Sequence, residues 1–197
     1  MGKNAEEEIT AMDKGRIIIG QQRFKLTIER LCHQLIERHG LFENSCIIGI
    51  QPRGIHLSER IAGRLTQILE LEESIKHGKL DITFYRDDFR TRVKPLKASK
   101  TEMDFLVENK RVVLVDDVLY TGRTVQAALT ALNHYGRPKE VELLALVDRR
   151  FNRHLPIQSD YIGLTVDAVD QAYVKVEWQE SNGEDQIRLF ADKKDAE

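Results

Sequence analysis

Only two cysteines, Cys32 and Cys46, occur in the 197-residue chain. They lie far apart and match no metal-ligand or redox spacing, so a disulfide framework and a cysteine metal site are excluded. Reduced, buried thiols and a cytoplasmic location are expected. An excess of one charge is also missing: 30 Lys and Arg stand against 32 Asp and Glu, a formal net charge of −2. That balance excludes a chain-wide attraction for nucleic acid, although a local basic patch remains open. No apolar run reaches the roughly 18 residues of a membrane span. The start, MGKNAEEEIT, is acidic and polar, without an apolar signal core, and Glu6 stands where a myristoylation signal needs Ser or Thr. There is no internal repeat and no low-complexity block. A loose segment over 1–15 followed by a single domain over 16–197 is therefore expected.

What is present is an alternation of apolar patterns. Phe24, Ile28, Leu31, Leu35 and Ile36 recur at helical spacing between Gln21 and Glu37, and Gly40 stands where a helix would stop. The run 46-CIIGI-50 reads as a strand buried on both faces, followed by the turn 51-QPRG-54. A second helix carries Ile55, Leu57, Ile61, Leu65, Ile68 and Leu69. Then 80-LDITFY-85 alternates like a strand, a further strand lies at 112–116, a helix at 124–135 ends at Gly136, and 141-VELLALV-147 is another buried strand. Strands apolar on both faces, separated by helices, predict an α/β fold with a parallel sheet covered by helices. In such sheets ligands bind beyond the carboxyl ends of the strands. Four polar clusters fall there: 51-QPRG-54, 86-RDD-88, 116-DDVLYTGRT-124 and 148-DRR-150.

The third cluster carries the chemistry. In 121-TGRT-124, a permissive Gly, two hydroxyls and successive backbone N–H groups at a helix start form a concave seat for an anion. The Walker and dinucleotide glycine patterns are absent, so the seat suits one phosphate. Asp116 and Asp117 are acceptor-only groups just upstream, suited to sugar hydroxyls. Either half alone is an ordinary structural device, a helix cap or a turn. Together, behind a buried strand, they describe a site for a ribose 5-phosphate.

The run VVLVDDVLYTGRTVQAALTAL resembles the phosphoribosyl-diphosphate (PRPP) motif of type I phosphoribosyltransferases. Its VLYTGRT portion is most similar to the family of pyrimidine-operon attenuation regulators with uracil phosphoribosyltransferase activity, PyrR. The stretches 30-RLCHQLIER-38, 49-GIQPRGIHLSERIAGRL-65, 81-DITFYRDDF-89, 146-LVDR-149 and 155-LPIQSDYIG-163 extend the likeness in the same order. The resemblance implies a twisted parallel sheet with helices on both faces and a small hood, drawn from N-terminal residues and about 148–170. It implies transfer from PRPP to uracil, giving UMP and diphosphate, with Mg²⁺ held mainly by PRPP and Asp116 or Asp117 as possible ligands.

On this sequence the family's roles fall as follows. Asp116 and Asp117 hold the ribose hydroxyls. Thr121, Gly122, Arg123 and Thr124 seat the 5-phosphate. Gln51, Pro52, Arg53 and Gly54 form the diphosphate loop, where Pro52 makes a cis peptide cheaper. Arg86, Asp87 and Asp88 begin a flexible lid, continued by the cations Arg90, Arg92, Lys94, Lys97 and Lys100, with Arg86 as a contact to PRPP. Tyr120, Asp148, Arg149 and Ile162 belong to the base and hood region. Tyr120 stands where purine enzymes commonly carry an acid, which argues against a purine. A homo-oligomer, a dimer, is expected as well.

The family's second activity is binding an mRNA leader, and here the sequence departs from the pattern. The family's Asp-Arg-Gly-His-Arg becomes 148-DRRFNR-153, one residue longer, and Gly-Lys-Asn-Ile-Pro-Thr-Ser becomes 163-GLTVDAV-169. Leu164 replaces a lysine, Glu29 replaces a threonine, and Asp167 and Asp170 add negative charge, whereas His33 matches and Arg149, Arg150 and Arg153 remain basic. Three readings stand: a uracil phosphoribosyltransferase, an RNA-binding regulator, and a phosphoribosyltransferase for another base. The first two can coexist.

Overall fold

The computed structural model describes residues 15–87, 99–168 and 172–196. The expected loose segment, Gly15 apart, lies outside them, as do Asp88, Arg90, Arg92, Lys94, Lys97 and Asp170. Five strands form the parallel sheet: β2 (Ser45–Ile50), β3 (His77–Leu80), β4 (Arg111–Leu119), β5 (Glu140–Arg150) and β6 (Tyr161–Asp167), in the order β3-β2-β4-β5-β6. Every residue of β2 is buried, as an apolar run covered on both sides should be.

Helix α1 (Gln21–His39) buries Phe24, Ile28, Leu31, Cys32 and Leu35, the predicted stripe plus one thiol. Gly40, at φ 57°, ends it. With α2 (Gly54–Ile68) it covers one face of the sheet, packing Leu31, Leu57, Ile61 and Leu65 on Ile47, Val113 and Leu144. Helix α3 (Arg123–Leu132) covers the other face, setting Val125, Ala128 and Leu132 against Ile48, Leu114 and Ala145. Both cysteines are free and buried, and burial pushes their thiols up, to about 12 for Cys32 and about 11 for Cys46. Among the described residues no helix is long and apolar enough to cross a membrane.

Three expectations need correction. The strand expected at 80–85 lies at 77–80, because the Asp81 carboxylate accepts hydrogen bonds from the Thr83 N–H and hydroxyl and turns the chain into a single 3₁₀ turn. The strand expected at 112–116 runs on to Leu119, so Asp116 and Asp117 lie inside β4 rather than beyond it. Of the segment assigned to a hood at 148–170, residues 148–150 and 161–167 belong to the large sheet instead: Asp148, near the end of β5, pairs with Thr165 of β6, and Arg150 with Asp167. The smaller sheet is antiparallel, ordered β1-β8-β7, from β1 (Arg16–Ile19), β7 (Tyr173–Glu177) and β8 (Gln186–Phe190). The sequence of β6, YIGLTVD, hid this because an edge strand is only partly buried and lacks a continuous apolar run.

The amino-terminal edge of the sheet is tied by one buried acid. Glu142 on β5 accepts from Arg38 Nε (2.9 Å), the Tyr161 hydroxyl (3.0 Å) and His39 Nε2 (2.8 Å), while His39 Nδ1 meets the Ser45 hydroxyl at 3.0 Å. One carboxylate thus joins α1, β5 and β6, and through His39 also β2. At the opposite edge, a Cβ on Gly54 would come within 2.2 Å of the Val115 carbonyl oxygen and 3.3 Å of Asp116 Cα. Only glycine lets the start of α2 rest on β4 there.

Three outcomes follow from these contacts. Glu142→Ala strands three donors and should lower unfolding free energy by about 2–3 kcal/mol in urea titration. Burial holds His39 below its ordinary 6.5, so the unfolded chain takes up that proton first; stability should fall as pH drops below 6.5, and His39→Gln should flatten that limb. Gly54→Ala should destabilise by about 1–3 kcal/mol through overpacking, read by the same titration.

Candidate active site

The order β3-β2-β4-β5-β6 reverses direction between β2 and β4, since β3 follows β2 on one side and β4 lies on the other. Open parallel sheets bind ligands at such a switch point, beyond the strand ends. The segments leaving β2 and β4 there are 51–54 and 120–124.

Asp116 and Asp117 are only 5 % and 6 % exposed. Asp116 accepts from the Asp117 N–H at 3.0 Å and Asp117 from the Val118 N–H at 2.7 Å, which fixes both carboxylates against their own strand. Burial, and then the charge of Asp117, push the Asp116 carboxyl well above its ordinary range. Burial also raises Asp117, with the Arg53 guanidinium pulling the other way. Two acids side by side, with one cation opposite, make a patch that seeks hydrogen-bond donors or positive charge.

The phosphate turn forms as its residue types require. Gly122 adopts φ 89° at the cap of α3, and no side chain caps the helix. A Cβ there would be strained by that φ and would lie 3.3 Å from Ile157 and 3.4 Å from Leu155. The Thr121 hydroxyl lies 3.4 Å from the Arg123 N–H, while the Thr121 carbonyl accepts from the N–H groups of His154 (3.0 Å) and Leu155 (3.2 Å). Thr124 opens the first turn of α3, where N–H groups and the helix dipole favour an anion. The Arg123 side chain turns away to pair with Asp87, and its Nε lies 3.4 Å from His154 Nδ1. The side chain of Arg123 thus points to the Asp87 and His154 side of the turn, and the backbone N–H groups at the start of α3 lie on the turn itself.

In the 51–54 loop, where the resemblance puts diphosphate, the Gln51–Pro52 peptide is cis. Gln51 is structural on both counts: its N–H donates to the Leu80 carbonyl (2.9 Å) and its Nε2 to the Lys100 carbonyl (2.8 Å). Pro52 and Arg53 are exposed, and the Arg53 guanidinium stands near enough to Asp117, Tyr173 of β7 and Asp116 for all three to favour its charged form. The small sheet thereby reaches the loop. Arg86 and Asp87 follow the 3₁₀ turn beyond β3, and Asp87 reaches the phosphate turn through Arg123.

The residues placed in the base region are brought together in part. Tyr120 and Arg149 meet, the guanidinium carbon lying 4.0 Å from the ring centroid. Asp148 pairs with Arg153, whose NH1 donates to the Tyr120 carbonyl at 2.5 Å. Ile162 does not join them. It pairs with Ala145, three positions before Asp148, and its carbonyl accepts from Arg30 at 3.0 Å. Sequence reasoning missed Tyr173, which had no local signal, and His154, Leu155 and Ile157, whose contact with the phosphate turn arises only on folding.

A model of the phosphoribosyl transferase domain matches residues 18–181. Two curated proteins named bifunctional protein PyrR are similar over nearly their whole length. That of Deinococcus radiodurans is 43 % identical over 88 % of this chain and 93 % of its own. That of Haemophilus ducreyi is 40 % identical over 89 % and 96 %. Among solved structures, the hypoxanthine phosphoribosyltransferase of Trypanosoma cruzi superimposes with a TM-score of 0.67 at 13 % identity, covering 91 % of this chain and 98 % of that one. A Staphylococcus aureus hypoxanthine phosphoribosyltransferase gives 0.64 at 16 %, covering 89 % and 92 %. The structures share the fold, and the sequences fix the kinship: the chain belongs to the phosphoribosyl transferase domain family and, within it, to the PyrR proteins.

Proposed function

We propose that this chain transfers the phosphoribosyl group of PRPP to uracil, forming UMP and releasing diphosphate. The observation that carries the reading is the buried Asp116–Asp117 pair standing between the phosphate turn and the Arg53 loop across the sheet's switch point. In the reaction the bond from ribose C1 to the diphosphate oxygen breaks, a bond from C1 to uracil N1 forms, and the N1 proton departs. Positive charge grows on the ribosyl ring as the leaving group goes. Asp116 and Asp117 accept from the ring hydroxyls and set a negative field beneath C1, an electrostatic stabilisation that needs no rearrangement. The amides of the 121–124 turn anchor the 5-phosphate, and Arg53 meets the departing diphosphate.

Adjacent carboxylates supply the oxygen donors that Mg²⁺ prefers. Among the described residues no group of three or more His, Cys, Asp or Glu side chains could hold a metal; Asp116 or Asp117 would add a carboxylate to an ion brought by PRPP. Bound with the substrate, Mg²⁺ neutralises charge on the leaving group.

Uracil rather than a purine is supported by Tyr120, which offers no acid to a purine ring and whose ring is covered by Arg149. A second activity, binding a pyrimidine-operon mRNA leader, is favoured by the name of the curated relatives. Two pairings oppose it: Arg150 is held by Asp167 at 2.6 Å, and Arg153 by Asp148. These reduce the cations left for phosphates.

Two measurements test the reading. Given PRPP and Mg²⁺ with uracil, orotate, hypoxanthine, guanine or xanthine in turn, the protein should release diphosphate with uracil alone; turnover of a purine would refute the base assignment. Asp117→Asn should lower kcat by about tenfold or more, an activation cost of about 1.4 kcal/mol, with the circular dichroism spectrum unchanged. Full activity in that variant would remove the ribose role.

A further inference from the structure

Beyond β5 the chain turns back through Phe151, Asn152 and Arg153, and this turn is secured at both shoulders. Arg150 makes a two-pronged pair with Asp167 on β6, at 2.6 and 2.7 Å. Arg153 pairs with Asp148 and donates to the Tyr120 carbonyl. Between these ties stand two residues that make poor sense as structure. Phe151 is held at φ 79°, a conformation that penalises a bulky side chain, and its ring is 70 % exposed. Asn152 has a buried side-chain amide nitrogen with no acceptor. The Arg150 guanidinium carbon lies 5.9 Å from the Phe151 ring centroid, a cation–π contact at the outer limit of its range that leaves most of the ring exposed. It is a small return for an unfavourable backbone beside an unpaired buried donor.

We propose that Phe151 and Asn152 are the base-selecting pair of this site, the Phe151 ring lying against the face of a pyrimidine and Asn152 Nδ2 donating to a ring carbonyl. The inference rests on the uracil transferase reading given above. Topology supports it. The diphosphate loop leaves β2, the acids lie near the end of β4, three and two residues before Leu119, and this turn leaves β5, so the sheet order β2-β4-β5 sets the turn and the leaving group on opposite sides of the ribose acids. A base that displaces diphosphate at C1 must approach from the side opposite the leaving group. The hydrogen bond from Arg153 to Tyr120 ties the turn to the residue just before the phosphate seat, which brings it to the right level. A flat, neutral ring with carbonyl acceptors suits both residues: stacking covers the exposed part of Phe151, and a carbonyl meets the unpaired Asn152 Nδ2. A polyanion fits less well, because Arg150 and Arg153 are already paired with carboxylates.

The test is steady-state diphosphate release by the full chain with PRPP and uracil varied in turn. Phe151→Ala and Asn152→Ala should each raise the KM for uracil about tenfold, leaving the KM for PRPP within about twofold, and Phe151→Tyr should restore wild-type values. Phe151→Gly separates binding from structure. It relieves the backbone, so its melting temperature should be no lower than wild type while its KM for uracil rises as in the alanine variant. A wild type that turns over uracil, beside alanine variants with unchanged KM for uracil, overturns this proposal alone. So does loss of affinity for a leader RNA with uracil kinetics unaltered, which would make the turn an RNA contact. Wild-type inactivity with uracil overturns the transferase reading and this proposal together.

Discussion

Placing two adjacent carboxylates inside a strand covered on both faces opposes folding, because each loses water and each repels the other. The structure contains that opposition at one point. Asp116 and Asp117 draw on the N–H groups of Asp117 and Val118, and Arg53 faces them from the neighbouring loop. Arg53 can stand there only because Gly54 lets α2 begin in contact with the backbone of Val115 and Asp116. The acids, the cation and the close approach are one device. A ligand offering hydroxyl donors and developing positive charge would relieve that opposition.

The rest of the molecule can be understood as support for that device. The register of β4 between β2 and β5 carries the acids and the phosphate turn to the same edge as the diphosphate loop. At the far edge, Glu142 and His39 join α1 to β2, β5 and β6, which keeps the strand ends level. The small sheet reaches the site through Tyr173 on Arg53. Asp87 and His154 flank Arg123, so the segments after β3 and β5 both touch the phosphate turn.

Much of this was legible in the sequence because its signals are local. The stripe of α1 and the buried run of β2 each lie within a few residues, and the structure places them as expected; the contiguous Asp-Asp and Thr-Gly-Arg-Thr elements are equally local, although the acids fall inside β4 rather than beyond it. What escaped depended on distance in the chain or on competition between neighbours. Asp81 captured Thr83 and cut short a strand that alternation alone would have extended. Strand β6, half exposed at the sheet's edge, had no pattern to separate it from a hood. The Arg123 guanidinium pairs with Asp87, 36 positions earlier in the chain, a partner that no local pattern announces. Tyr173 follows no motif at all.

The claim on which everything turns is that the paired acids and the amides after them hold opposite ends of one phosphoribosyl group. A crystal structure of the protein with PRPP or UMP tests it most directly. The account predicts the 5-phosphate within hydrogen-bonding distance of the 121–124 amides and the ribose hydroxyls on Asp116 and Asp117. A phosphoribosyl group bound elsewhere, with this edge of the sheet vacant, would contradict it.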